Sequence, residues 1–292
     1  MDNLKLIYDY KHIDKYRLSF NILANSTFGI DFEKWYQKGL WNDRYICFSY
    51  IDGDRVVSNV SVSTIDFIVN GRRKSVVQIG TVMTHPDYRC RGLASKLMSF
   101  VLREYENKCE MFYLFSNLDV LDFYLNFGFK PLQESQFSKE INVKKAYRNM
   151  LRKLDMSKAD DLSIVIRLAS KRASLSEVFG TEKSEHVVTW YALYGFANSI
   201  YYLEDKDIVV MFDIEGENLK LYDVLSGSKV EMDEIMERVA TIDTKRVIFD
   251  FTPELKDIGL QHRIEDLDDI MYVKGNISDM PENFKHPITS HA

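Results

Sequence analysis

Cysteine is scarce in this chain of 292 residues: Cys47, Cys90 and Cys109 are the only three, and no two of them form a CxxC pair. That excludes a disulfide framework or a cysteine zinc site and fits a reducing, cytoplasmic setting. Long apolar runs are missing too. None approaches the ~18 residues of a membrane-spanning helix. The start, Met1-Asp2-Asn3-Leu4-Lys5, carries charge where a secretory leader needs an apolar core. No GxSxG, Walker A or GxGxxG pattern occurs, and no low-complexity linker interrupts the chain. His286 and His291 lie near the end without metal-like partner spacing, so no metal site is expected.

What is present is ordinary for a packed protein: 46% hydrophobic and 13% aromatic residues, enough for one large domain or two of common size. Charge is uneven. Residues 1–150 carry 21 Lys and Arg against 17 Asp and Glu, a net +4, while residues 151–292 carry 17 against 27, a net −10. A nucleic-acid protein would show a basic stripe. This asymmetry suggests instead that anions are handled in the first half and a cationic partner in the second, the alternative being a drift of solvated surface charge.

The first 150 residues read as a mixed α/β unit. Leu4–Tyr8 is a short strand, and Lys11–Ala24 and Asp31–Gly39 have helical spacing. Arg44–Ile51, Arg55–Ile68 and Arg73–Met83 are strand-like, separated by the turns Asp52-Gly53-Asp54 and Asn70-Gly71. Helix Gly92–Tyr105, strand Met111–Phe115 and helix Asp119–Phe127 follow. The second half repeats the order weakly. Arg152-Lys153-Leu154-Asp155 echoes Leu6-Ile7-Tyr8-Asp9, Ile208–Ile214 and Leu219–Leu225 form a hairpin, Glu231–Ala240 is helical and Arg246–Phe251 is a strand. Asp257-Ile258-Gly259-Leu260 echoes Asn126-Phe127-Gly128-Phe129. The expected class is α+β, with a central mixed, mostly antiparallel sheet flanked by helices and duplicated along the chain.

One stretch carries chemistry: Val82-Met83-Thr84-His85-Pro86-Asp87-Tyr88-Arg89-Cys90-Arg91-Gly92-Leu93-Ala94-Ser95. An apolar strand passes through a Pro-containing turn into Arg-x-x-Gly-x-Ala and directly into a helix. The first N–H groups of a helix have no intrahelical partner, and the helix dipole adds partial positive charge there. Gly92 and Ala94 let an anion approach the backbone, Arg89 and Arg91 add donors, and a pyrophosphate fits such a turn. A solvated helix cap is the plainer reading of the same residues.

The segment resembles the acyl-CoA-binding motif of GNAT-type N-acetyltransferases, V-x-P-x-Y-R-x-R-G-x-G/A, with Thr84 in place of Val two residues before Pro86. Phe123-Tyr124-Leu125-Asn126-Phe127-Gly128-Phe129 is similar to the family's F-Y-x-x-x-G-F signature, and Asn117 falls where the family has a CoA-contacting Asn past its fifth strand. The resemblance covers roughly residues 1–145. It implies that the fourth and fifth strands splay to admit the pantetheine arm. Val82, Met83 and Thr84 then contact the cofactor, with the N–H groups of Val82 and Thr84 polarising the thioester, and Arg89, Cys90, Arg91, Gly92, Leu93, Ala94 and Ser95 wrap the pyrophosphate. Tyr124 matches the Tyr that acts as general acid in many members. Where several members carry a strand Glu as base, this chain has Gln78, which has no usable proton affinity. Asp66 is a nearby alternative that an exposed strand position would explain equally well. Some two-unit relatives are thought to use a C-terminal carboxylate, which extends the same expectation to Ala292.

His85 reads as a turn cap and Cys90 as a small spacer. Trp190-Tyr191-Tyr194-Phe196 reads first as a core face and second as a wall of the acceptor pocket. The second half has no Arg-x-x-Gly-x-Ala near Ser226 and nothing corresponding to Tyr124. The expectation is a GNAT domain over 1–148 and a degenerate GNAT-like domain over 149–292. The activity implied is direct transfer of acetyl from acetyl-CoA to a small, cationic amine in a ternary complex. A non-catalytic acyl-CoA-binding module, or transfer of another acyl group, is the alternative.

Overall fold

The structure, a computed structural model, describes residues 4–117, 120–144, 151–255, 260–263 (backbone only) and 269–292. The chain runs β1 (Lys5–Tyr8), α1 (Asp14–Phe28), α2 (Glu33–Gln37), β2 (Tyr45–Asp52), β3 (Arg55–Val69), β4 (Arg72–Thr84), α3 (Leu93–Tyr105), β5 (Met111–Ser116), α4 (Leu121–Leu125), β6 (Lys130–Leu132) and β7 (Ser135–Glu140). It continues β8 (Leu151–Lys153), α5 (Ala159–Ser170), β9 (Phe179–Glu182), α6 (Glu185–Tyr194), β10 (Ile200–Leu203), β11 (Ile208–Glu215), β12 (Asn218–Leu225), α7 (Met232–Val239), β13 (Arg246–Phe249), β14 (Leu260–Arg263) and β15 (Ile270–Gly275). The α+β class expected from the sequence is what forms: two mixed, mostly antiparallel sheets with helices on their faces.

Local chemistry sets most boundaries of the first unit. Asn70 and Gly71 both take positive φ, as the tight β3–β4 hairpin requires. Helix α1 starts later than expected, at Asp14, and ends at Gly29, which is left-handed and donates its N–H to Asn25. Helix α3 buries Leu97, Met98 and Val101 against Val60, Val62, Val77 and Ile79 of the sheet, each large side chain contributing about 1.5–3 kcal/mol. Asp119 of the expected fourth helix lies outside the described residues, as do the boundary at 148/149 and residues 257–259 of the glycine echo.

The two sheets do not divide the chain at 148/149. The first runs β1-β2-β3-β4-β5-β15-β6, with β9 pairing the far end of β3; the second runs β14-β7-β13-β12-β11-β10-β8. Strand β15, late in the chain, sits between β5 and β6, with Tyr272 opposite both Leu114 and Pro131. In return β7 enters the second sheet between β13 and β14, with Phe137 opposite Phe249 and Gln261. Each exchanged strand has both edges paired, which satisfies backbone groups that an open sheet edge would leave bare. One core also crosses the halves: Phe20, Trp35 and Trp41 pack in the same cluster as Val165, Leu168, Val188 and Leu193.

Candidate active site

The site begins where two strands part. The parallel β4–β5 ladder covers only Val76–Gln78 against Met111–Tyr113. Beyond it β4 continues to Thr84 and β5 to Ser116 without pairing each other. The gap is a groove of about 540 Å³. Of the residues singled out from sequence, Val82, Met83, Thr84, Ala94, Asn117 and Tyr124 line it together. The side chain of Met83 is buried in the core, as is that of Leu93, so what either can offer a ligand is backbone. Strand β4 bulges inside the groove: Asn59 pairs Met83 and Ser61 pairs Gly80, leaving Thr81 and Val82 opposite Val60 alone. Thr81 takes φ +42° there.

The loop past β4 is exposed at Arg89, Cys90, Arg91, Gly92 and Ser95. Cys90 and Gly92 both have positive φ, and a Cβ at Gly92 would meet nothing within 4 Å. Helix α3 opens at Gly92 with no side-chain cap, so its first N–H groups face outward toward any anion. The guanidiniums are tied back to the loop, Arg89 Nε to the Thr84 carbonyl at 3.2 Å and Arg91 to the Asp87 carbonyl at 2.6 Å. His85 caps the turn as expected, its ring nitrogen accepting from the Asp87 N–H.

Tyr124, on α4, is buried and lines the groove. Burial pushes its phenol up to about 12, so it keeps its proton at neutral pH and can give one to an anion formed beside it. Gln78 is fully buried. Its Nε2 donates to the main-chain oxygen of Ala292 at 3.2 Å, and its Oε1 accepts from Tyr113 at 3.1 Å. Thus Gln78 orients, as its chemistry demands, but what it orients is residue 292. Gly80 allows that approach: a Cβ there would stand 3.0 Å from the Ala292 oxygen.

A second cavity, of about 150 Å³, shares Thr81 and Ala292 with the groove. Phe32, Trp35 and Tyr45 from the first half and His186, Trp190 and Tyr191 from the second form its walls. Trp190 and Tyr191 are therefore walls as well as core. Sequence reasoning missed Phe32, Trp35, Tyr45 and His186, because only the packing of α2 against α6 brings them together. Two expectations are corrected. Asp66 is neither exposed nor in either cavity; it is buried beside Lys183, 2.6 Å away, because β9 covers that end of β3. His286 and His291, near the end of the sequence, are packed in the fold rather than set apart as a terminal tail: His286 is buried, and His291 lies on Phe115 with ring centroids 3.9 Å apart and lines the smaller cavity.

The second sheet has its own parallel pair, β12–β13, laddered over Asn218–Leu221 and Arg246–Phe249. Past its end, Ile288 donates its N–H to Asp250 at 3.0 Å, and the Thr289 hydroxyl bonds to Asp223, which also pairs with Arg172 at 2.7 Å. The chain's own residues 288–289 bridge the two strands where the first sheet holds its groove. Among the described residues no group of three or more His, Cys, Asp or Glu could hold a metal, and no helix is long and apolar enough to cross a membrane.

Comparison with known proteins agrees with this geometry. Residues 12–132 match the family model of the acetyltransferase (GNAT) domain. A probable N-acyltransferase from Enterococcus faecalis V583 superposes with a TM-score of 0.56 at 12% identity, over 92% of this chain and 72% of that one. A GCN5-related N-acetyltransferase from Kribbella flavida gives 0.55 at 18%, over 92% and 71%. Eis1 from Mycobacterium abscessus gives 0.56 at 10%, over 92% and 72%. At such identities these likenesses show the fold. No curated protein matches the sequence.

Proposed function

We propose that the chain is an acetyl-CoA-dependent N-acetyltransferase acting directly on an amine, with a first GNAT unit that binds the cofactor and a second, degenerate GNAT-like unit that does not. The observation that carries this reading is the groove between the parted strands β4 and β5, which is lined by Thr84, Ala94, Asn117 and Tyr124. The exposed residues Arg89–Gly92 and the first turn of α3 up to Ser95 hold the pyrophosphate at that uncapped helix start. The pantetheine arm lies along Val82–Thr84, and backbone N–H groups there oppose charge developing on the thioester oxygen, each such donor contributing about 3–4 kcal/mol.

The amine enters at Thr81 and Ala292. Its lone pair attacks the thioester carbon, a C–N bond forms, the C–S bond breaks, and Tyr124 delivers a proton to the departing thiolate. The ammonium loses one proton to solvent beforehand. The second proton, shed by nitrogen as the C–S bond breaks, returns through solvent to the Tyr124 phenolate, and the Ala292 oxygen held by Gln78 accepts a hydrogen bond from the N–H that remains. The bridge made by residues 288–289 supports a single cofactor site per chain. No Asp or Glu side chain lines the cavity, so the expected cationic selectivity finds no side-chain support there.

Gln78 in place of a strand Glu favours a second reading, an acyl-CoA-binding module without turnover. The two separate in one assay, release of free thiol from acetyl-CoA across a panel of amines. Amine-dependent release supports the transferase; binding of acetyl-CoA with no release for any amine supports the module.

A further inference from the structure

We propose that the smaller cavity receives the body of the acceptor and that this body is an uncharged ring, aromatic or alicyclic, bearing its amino group on a short tether. The proposal rests on the transferase reading above and names its substrate class.

Size comes first. The cavity measures about 150 Å³, and an apolar protein cavity of roughly this volume holds one benzene. Its walls are mostly apolar, with Thr81, His186, His291 and Ala292 as the polar exceptions. Phe32, Trp35, Tyr45, Trp190 and Tyr191 supply five aromatic faces, and no Asp, Glu, Lys or Arg lines it. The histidines add no charge. His186 is wholly buried, bonded to Ser63 through Nε2, and burial lowers its pKa to about 3. A charged body seated among these rings would lose its hydration and meet no charged side chain of the lining.

The walls are also held in place before any ligand arrives. Trp35 donates from Nε1 to Thr189 Oγ1 and from its backbone N–H to Tyr194 Oη, both at 3.2 Å. Tyr45 Oη bonds to Thr81 Oγ1 at 3.0 Å. Phe32 stacks on Tyr45 at 27°, but it stands at 38° to Trp190, and Trp35 stands at 84° to Tyr45, so stacking does not bring all the wall rings together. A rigid apolar slot spends little binding free energy on ordering. Direction follows from the shared residues. Thr81 and Ala292 line both cavity and groove, so a ring seated among the tryptophans points a one- or two-carbon amine at the place where the thioester lies.

The test uses the full chain with acetyl-CoA and compares 2-phenylethylamine and cyclohexylmethylamine with putrescine and spermidine. We expect kcat/KM to favour the ring amines by roughly 50-fold, the effect of burying one ring, with little dependence on salt. Calorimetry with 2-phenylethylamine on the CoA-saturated protein is run alongside. Ile30→Trp, a partly buried wall position, should weaken that binding at least tenfold while CoA affinity holds, and Trp190→Ala should weaken it as well. Preference for putrescine or spermidine overturns the ring acceptor and leaves the transferase standing. Ring binding that both variants weaken, without turnover of any amine, upholds the cavity's ligand class and overturns the transferase. Failure of 2-phenylethylamine to bind, or binding indifferent to both variants, overturns the cavity assignment.

Discussion

Asn59 Nδ2 donates to the main-chain oxygen of Thr81 at 2.9 Å and to its hydroxyl at 3.1 Å. Thr81 is the bulge residue at which groove and cavity meet, and φ +42° is costly for a β-branched side chain. Asn59 is completely buried and also bonds to Ser49 and Ser61, so the bulge is held by a closed polar network. A network of this kind is worth most when every member is paired.

Asn59→Ala should therefore cost about 1–3 kcal/mol of stability, because it leaves buried partners unsatisfied. A displaced bulge misaligns amine and thioester, and a shift of about 1 Å can cost ~10²-fold in rate. CoA affinity should change little. Denaturant unfolding, kcat and CoA titration check the three parts, and a stable, fully active variant would free the bulge from any catalytic role.

Tyr124→Phe should lower kcat by ~10²-fold or more with CoA affinity nearly intact, since the ring still packs and only the proton donor is lost. Because burial raises the phenol to about 12, the wild-type rate should show no alkaline loss from Tyr124 below about pH 11. An unchanged kcat where chemistry limits the rate removes Tyr124 from the mechanism.

Gly92→Glu should abolish CoA binding. The φ of +72° makes any side chain pay ~1–2 kcal/mol of backbone strain, and a carboxylate at the start of α3 repels phosphate. Gly92→Ala, which carries the strain without the charge, should bind with a modest loss. Calorimetry should give one site in the wild type; two equivalent sites would mean that the second unit also binds.

Stability should fall on acidification partly through His186. Its folded pKa of about 3 lies below the usual imidazole value of 6.5 because burial disfavours the cation. Between those values the unfolded chain takes up a proton that the folded chain refuses, so stability drops as pH falls from 6.5 toward 3. His186→Gln should flatten the slope of melting temperature against pH in that window. An identical slope in variant and wild type would show that His186 does not stay neutral in the fold.

Much of the first unit was legible because its signals are local. Arg89-x-x-Gly92-x-Ala94 and Phe123-Tyr124-x-x-x-Gly128-Phe129 lie on adjoining strands, turns and helices, and turn chemistry at Asn70-Gly71 marks the hairpin that carries the groove strand. Hydrogen bonds between residues close in sequence are enough to specify such features. The break in the β4–β5 ladder was anticipated only through family likeness, since strand pairing is non-local.

Tertiary structure alone decided the rest. Nothing in the short run Ile270–Gly275 says that it completes the first sheet, or that Ser135–Glu140 completes the second. A strand's partner is chosen by whichever edge can satisfy its backbone while both faces are buried, and that depends on the whole assembly. The same holds for the smaller cavity: Trp35, His186 and Ala292, which line it, are far apart along the chain. Local sequence determined where a helix start lies open; the packing of one half against the other decided the shape and lining of the cavity beside the groove, because a cavity is a property of surfaces brought together.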